Sequence, residues 1–229
     1  MSSVDLATGE RNGSNDTARF PAASTVKLAV LTAALKRFGP RPEEHASFYD
    51  LRALTGWSSN LAANRLMARL GGAAVVQAEL RRLGARSSTY PGKYLAGTAF
   101  TREPPRISSR LTTARDLSGV LARLQRAALG RSSTRASSGL TIHEARVALG
   151  LLLSSQATGD NAGMIRAAVG PAVPIAQKQG WLDDVRITAA IVYTARGPRI
   201  VVICAFAQNL ALPTASAFGR RVVGALGLR

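Results

Sequence analysis

Phe20 to Leu35 reads FPAASTVKLAVLTAAL, and on this stretch the reading of the whole chain turns. It holds one charged residue, Lys27, among neighbours that are apolar on every face, the pattern of a helix buried all round. Pro21 marks its expected start and Gly39-Pro40 its stop, so the spacing predicts a helix from Pro21 to about Phe38. A lysine inside such a helix must find partners or lose its proton, because burial disfavours the ammonium form. Ser24 lies three residues earlier on the same expected face, within hydrogen-bond reach of that amine. Ser24 is thus a candidate nucleophile and Lys27 its candidate base. The plainer alternative is a lysine that snorkels to the surface beside an ordinary first-turn serine. With four lysines and 19 serines in the chain, Ser-x-x-Lys is expected by chance about 0.3 times, so the spacing alone is weak.

Outward from this helix, strands are expected at the ends of the chain and helices between them. Residues 3–6 read as a short strand and 8–16 as a turn. Helices are expected at 58–70 (serine-capped, stopped by Gly71-Gly72), 73–83, 113–129, 141–155, 160–168 and 213–226. Strands are expected at 173–179, 185–195 and 199–207, the last two joined through Arg196-Gly197-Pro198. The order predicts an α+β fold: one domain, 1–229, with an antiparallel sheet from about 1–20 and 173–229 and a helical lobe at about 21–172. Ser87 to Ser109 reads as a long loop rich in Pro, Gly and Ser, and loops of that length inside a domain usually serve a function.

Composition narrows the function classes. The 229 residues carry 30 Lys and Arg against 13 Asp and Glu, a net charge of +17, and the sequence pI is about 11.6. The charge is almost all arginine, scattered rather than clustered with aromatics, which argues against a nucleic-acid groove and leaves attraction to anionic substrates or surfaces. Cys204 stands alone in an apolar run, and His45 and His143 are isolated, so no metal or cofactor site is expected. No segment has the length of a membrane span. Met1 to Glu10 has no export leader, so the chain reads as cytoplasmic if complete and as exported if its start is truncated.

Two further segments join the first. Ser58-Ser59-Asn60 begins the second long helix, and Lys178-Gln179-Gly180 ends an expected strand. In order, Ser24-Thr25-Val26-Lys27, Ser58-Ser59-Asn60 and Lys178-Gln179-Gly180 resemble the S-x-x-K, S-D-N and K-T-G elements of class A β-lactamases and penicillin-binding proteins. The flanks PAASTVKL, SSNLAANRLMARLGG, TTARDL and RITAAIVYTARG are similar to that family too, over nearly the whole chain. The resemblance implies a β-lactamase/transpeptidase-like fold and a serine hydrolase working through an acyl-enzyme on a small-molecule or peptide amide or ester, with no metal and no cofactor. Ser24 would attack the carbonyl and Lys27 would take its proton. Ser58 would pass a proton from Lys178 to the leaving nitrogen, and Asn60 would hold Lys27 and a substrate amide. Lys178, with Gln179 and Arg186, would attract a substrate carboxylate. The amides of Ser24 and Trp181, just past Gly180, would meet the oxyanion. Taken singly, each residue also has a structural explanation, Ser58 as a helix cap and Lys178 and Arg186 as strand-edge charges.

The departures from the family pattern carry their own expectations. Ser59 replaces the middle aspartate and Gln179 the usual Thr or Ser, which leaves substrate preference open. Only 34 positions separate Ser24 from Ser58, fewer than in typical class A enzymes, so a reduced helical lobe and an open cleft are expected. The chain also starts about where the first strand should, without the family's amino-terminal helix. No E-P-E-L-N-like segment supplies a deacylation base, and the sole carboxylate of the Ser87–Ser109 loop is Glu103, flanked by Arg102 and Arg106. Slow deacylation and weak β-lactam turnover are therefore expected. Two alternatives stay open: a penicillin-recognising or cell-wall-sensing protein that acylates without turnover, and a non-catalytic binding protein.

Overall fold

Alternation with a period of two builds the sheet. In the two longest strands, Val185, Ile187, Ala189 and Ile191, with Ile200 and Val202, belong to one buried cluster, while Ala190, Val192, Val201 and Ile203 belong to another. Both faces of these strands are covered, which is why they read as continuous apolar runs. The structure, a computed structural model, describes residues 1–95, 109–131, 138–155 and 159–228. Its strands are β1 (Ser2–Asp5), β2 (Arg11–Gly13), β3 (Phe20–Pro21), β4 (Leu111–Thr112), β5 (Ile175–Leu182), β6 (Val185–Thr194) and β7 (Gly197–Phe206). Its helices are α1 (Lys27–Phe38), α2 (Phe48–Gly56), α3 (Asn60–Arg69), α4 (Ala73–Arg82), α5 (Ala114–Ala128), α6 (Ile142–Leu153), α7 (Gly163–Val169) and α8 (Leu212–Ala225).

Five strands form one antiparallel sheet in the order β2-β1-β7-β6-β5, which leaves β5 at an edge. Helices α5 and α6 pack on one face, where the larger core runs on into α1 to α4, and α7 and α8 cover the other. The expected α+β architecture, an antiparallel sheet with helices packed on it, is thus the one observed.

Three details depart from expectation. Helix α1 starts at Lys27, not at Pro21; Phe20–Pro21 pairs instead with Leu111–Thr112 as a separate two-stranded ribbon. From Lys27 to Leu35 every residue of α1 is buried, as its composition requires. Helix α2 escaped the sequence reading because its polar Asp50 is turned inward. Asp50 is buried and grips the Arg65 guanidinium of α3, with Nε 3.1 Å from Oδ1, beside Leu51, Ala53 and Leu54, which pack into the larger core. The third departure is the cap of α3. Ser59, not Ser58, is the N-cap, its Oγ accepting the Ala62 amide at 3.1 Å.

Candidate active site

Ser24 sits in the turn that leads into α1. The turn is held by Thr25, whose amide and hydroxyl both donate to the Ala22 carbonyl (3.0 and 2.7 Å). The Lys27 amide closes back onto the Ser24 carbonyl at 3.2 Å. Ala23 has a φ of 46°, a left-handed conformation costly for a residue with a β-carbon. Edge strand β5 runs directly against this turn. A β-carbon at Gly180 would lie 2.8 Å from the Ala22 carbonyl oxygen and 2.9 Å from the Ser24 amide nitrogen, so the approach requires glycine. Among the described residues the Ser24 amide donates to no acceptor, which leaves it available at the pocket wall.

Lys27 is fully buried, and its amine is bonded to Ser58 and Asn60 at the start of α3. It donates to the Ser58 carbonyl at 2.6 Å, to Asn60 Oδ1 at 2.7 Å and, at 3.4 Å, to Ser58 Oγ. The expected Ser24–Lys27 side-chain hydrogen bond is not made among the described residues; the bonds of the Lys27 amine go to Ser58 and Asn60 instead. Burial holds the amine well below the ordinary lysine range, and the charges of Lys178 and Arg110 press the same way. Whenever the amine loses its proton, its lone pair becomes available to accept one.

Ser58 is made available by its neighbour. Because Ser59 caps α3, Ser58 sits ahead of the helix at φ 62°, with its hydroxyl free to accept from Lys178 Nζ at 2.7 Å. Aspartate and serine are both strong N-caps, so Ser59 does the capping work that an aspartate there would do. Lys178, on β5, is wholly buried and also donates to the Gln179 carbonyl at 2.9 Å. Burial lowers its pKa to about 7, so near neutrality it is poised to give or take a proton.

These residues surround a cavity of about 320 Å3 lined by, among others, Ser24, Ser58, Asn60, Trp57, Trp181 and Leu95. The structure thus brings Ser24, Lys27, Ser58, Asn60, Lys178, Gly180 and Trp181 together. Of these, Ser24, Ser58, Asn60 and Trp181 line the cavity, and Lys27 and Lys178 reach its wall through Ser58; Gln179 and Arg186 are turned elsewhere. Strand alternation sends Lys178 and Gly180 to the pocket side of β5 and Gln179 to the far side, where its side chain packs against Gly163 of α7. Arg186 lies behind Trp181, its guanidinium carbon 5.6 Å from the ring centroid and its Nε donating to the Leu210 carbonyl. Glu103 lies outside the described residues.

Sequence reasoning missed Tyr94 and Arg110, which also line the cavity. Asn64 clamps the Tyr94 backbone at both ends, receiving its N–H at Oδ1 and giving Nδ2 to its carbonyl, each at 2.8 Å. The Tyr94 hydroxyl donates to the Ala23 carbonyl at 3.2 Å, and its ring lies 4.5 Å from Lys27 Nζ and 3.8 Å from the Arg110 guanidinium carbon. No signal along the chain singled out Tyr94, since the loop holds other apolar residues such as Tyr90 and Phe100; the Asn64 partnership is visible only in three dimensions. Among the described residues no group of three or more His, Cys, Asp or Glu is placed to hold a metal, and no helix is long and apolar enough to cross a membrane.

Comparison with known proteins agrees with the fold. Among solved structures, L2 complexed with relebactam is similar at TM-score 0.74 and 23% identity, over 97% of this chain and 90% of that one. PBP-A is similar at TM-score 0.77 and 19% identity, over 99% and 88%. A class A β-lactamase from Mycobacterium abscessus is similar at TM-score 0.73 and 22% identity, over 99% and 92%. At such identities the likeness speaks for the fold. Among curated proteins none matches. Residues 41–226 match the family described as the beta-lactamase enzyme family, a stretch that begins after Ser24 and Lys27 and spans most of the chain. With that match and a shared fold over almost its whole length, the chain belongs to the beta-lactamase enzyme family.

Proposed function

We propose that this β-lactamase-like serine hydrolase acylates Ser24 with an amide or ester substrate and releases the acyl group slowly. The observation that carries the reading is the pair of buried amines meeting at Ser58: Lys27, depressed by burial, and Lys178, with a pKa of about 7, both bond to its hydroxyl. Among the described residues neither amine has a carboxylate as a hydrogen-bond partner, an arrangement that costs stability and that a role in proton transfer would explain.

In the proposed reaction the Ser24 hydroxyl gives its proton to the Lys27 lone pair as Oγ bonds to the carbonyl carbon. A shift of the Lys27 amine from Ser58 toward Ser24 on substrate entry would make the contact, since hydrogen bonds of this kind often tighten only in the complex. The oxyanion is met by the Ser24 amide and the amide of Trp181. On collapse the carbon–nitrogen or carbon–oxygen bond breaks. The leaving atom takes a proton from Ser58 Oγ, which is resupplied by Lys178. Asn60, bonded to Lys27 through Oδ1 and to the Leu95 carbonyl through Nδ2, fixes the amine and the pocket wall together. A carboxylate-bearing substrate would find positive charge in Lys178 and Arg110.

A second reading, a penicillin-recognising protein that acylates without turnover, draws on the wall beside Ser24, where a tyrosine ring and no described Asp or Glu lines the cavity. Intact-protein mass spectrometry after exposure to a fluorescent penicillin and to an activated ester tests both. An adduct on the wild type that is absent from Ser24→Ala is expected, and the variant should keep its fold because loss of one hydroxyl in a turn costs little. Labelling of Ser24→Ala at the wild-type rate would end the proposal.

A further inference from the structure

We infer that Tyr94 seals the side of the Ser24 ester against water, so that its ring sets the lifetime of the acyl-enzyme; this rests on the acylation of Ser24 proposed above. Hydrolysis requires a water whose oxygen bonds to the ester carbonyl carbon as the Oγ–carbon bond breaks. One water proton returns to Ser24 Oγ, and a base must take the other during attack. The Tyr94 side chain lies against the turn that carries Ser24, its hydroxyl 3.2 Å from the Ala23 carbonyl, and lines the same cavity as Ser24, so a water approaching the ester from this side would have to displace the ring.

The side chain cannot swing aside. Its backbone is held at both ends by Asn64, its hydroxyl is spent on the Ala23 carbonyl, and Tyr90 meets its ring edge-on at 5.9 Å. Arg110 lies against the ring and is itself anchored to the Gly92 and Lys93 carbonyls at 2.8 and 3.2 Å. Nor is Tyr94 a base. Its phenol is pushed far above the ordinary value by burial, so it stays protonated, and its O–H donates a hydrogen bond to the Ala23 carbonyl. An aromatic face offers a water no strong acceptor. Lys27, pressed to this ring at 4.5 Å, is likewise shielded from water on that side.

The same contact gives the residue a second, separable effect. The hydroxyl bond to Ala23 holds the left-handed residue just before Ser24 and so positions the nucleophile. Removing the hydroxyl and removing the ring therefore have different consequences. Tyr94→Phe keeps the wall and loses the Ala23 bond, so acylation slows several-fold while deacylation is unchanged. Tyr94→Ala opens a space bordered by Lys27 Nζ and the Ala23 carbonyl, polar enough to hold water, so deacylation quickens at least tenfold. Tyr94→Gln retains most of the volume but supplies an amide that can bind a water, and it serves if the alanine variant does not fold.

The experiment is burst kinetics with nitrocefin, with intact-mass measurement of the adduct. The expected wild-type result is a stoichiometric burst followed by slow turnover, with deacylation raised in Tyr94→Ala or Tyr94→Gln and unchanged in Tyr94→Phe. Deacylation equal in all four proteins overturns the inference while leaving the acylation proposal intact. Fast steady wild-type turnover abolished by Glu103→Gln overturns it in favour of a carboxylate base. No adduct on Ser24 with any acyl donor overturns the acylation proposal and the inference with it.

Discussion

Lys178 couples the site to the stability of the whole fold. Its amine has a pKa near 7 in the folded protein against an ordinary 10.5, because burial strips water from the ammonium form. A lysine with a depressed folded pKa binds protons more weakly in the folded chain than in the unfolded one, so stability rises with pH across the interval between the two values. At about 1.4 kcal/mol per pH unit, the interval from about 7 to 10.5 corresponds to about 5 kcal/mol. Between pH 7 and pH 9, where the folded amine goes from half to almost fully deprotonated and the unfolded one stays charged, the gain is about 2 kcal/mol. Urea unfolding at the two pH values, for the wild type and Lys178→Met, isolates it. Methionine keeps the length and apolar stem and removes the titration, so the wild type should gain about 2 kcal/mol more than the variant. Lys27 adds to this difference, since loss of the Lys178 charge lets its amine rise. Cys204, pushed up to about 12 by burial, contributes equally to both proteins and cancels. At pH 7 the variant should be at least as stable as the wild type, although it loses the bonds to Ser58 and Gln179. Equal pH dependence in the two proteins would refute the claim that Lys178 is held in a low-pKa state.

Two substitutions test the geometry around Ser24. Lys27→Ala should slow acylation by about 100-fold or more, the usual effect of losing a general base, whereas Lys36→Ala should leave it within about twofold, because Lys36 pairs with Glu79 at 3.1 Å at the far end of α1. Equal losses in stopped-flow acylation would show that the lysines act through overall charge. Gly180→Ala forces a β-carbon against the Ala22 carbonyl and the Ser24 amide. It should lower stability by about 1–3 kcal/mol and acylation by about 100-fold; a variant that melts lower but acylates normally would show that the close approach of β5 does not set the nucleophile.

What lay within reach of the sequence was whatever depends on neighbours along the chain. The apolar run around Lys27 required a buried helix, the order of strands and helices pointed to an antiparallel sheet with helices packed on it, and the three short motifs nominated Ser24, Lys27, Ser58, Asn60 and Lys178, which the fold brings together at and behind the wall of one cavity. Local pattern fails where partners come from far along the chain. Whether Ser58 or Ser59 caps α3 depends on which hydroxyl Lys178, 120 positions later, can reach. Whether Lys27 bonds to Ser24 depends on the competing partners that Ser58 and Asn60, 31 and 33 positions later, offer its amine; where α1 begins was likewise decided at a distance, by the pairing of Phe20–Pro21 with Leu111–Thr112. Gln179 kept its place in the motif and lost its place in the pocket, because strand alternation turns it toward α7. Tyr94 entered the site through Asn64, 30 positions away. A buried amine or hydroxyl takes whichever partner the packed fold brings within about 3 Å, and that choice is made by tertiary structure alone.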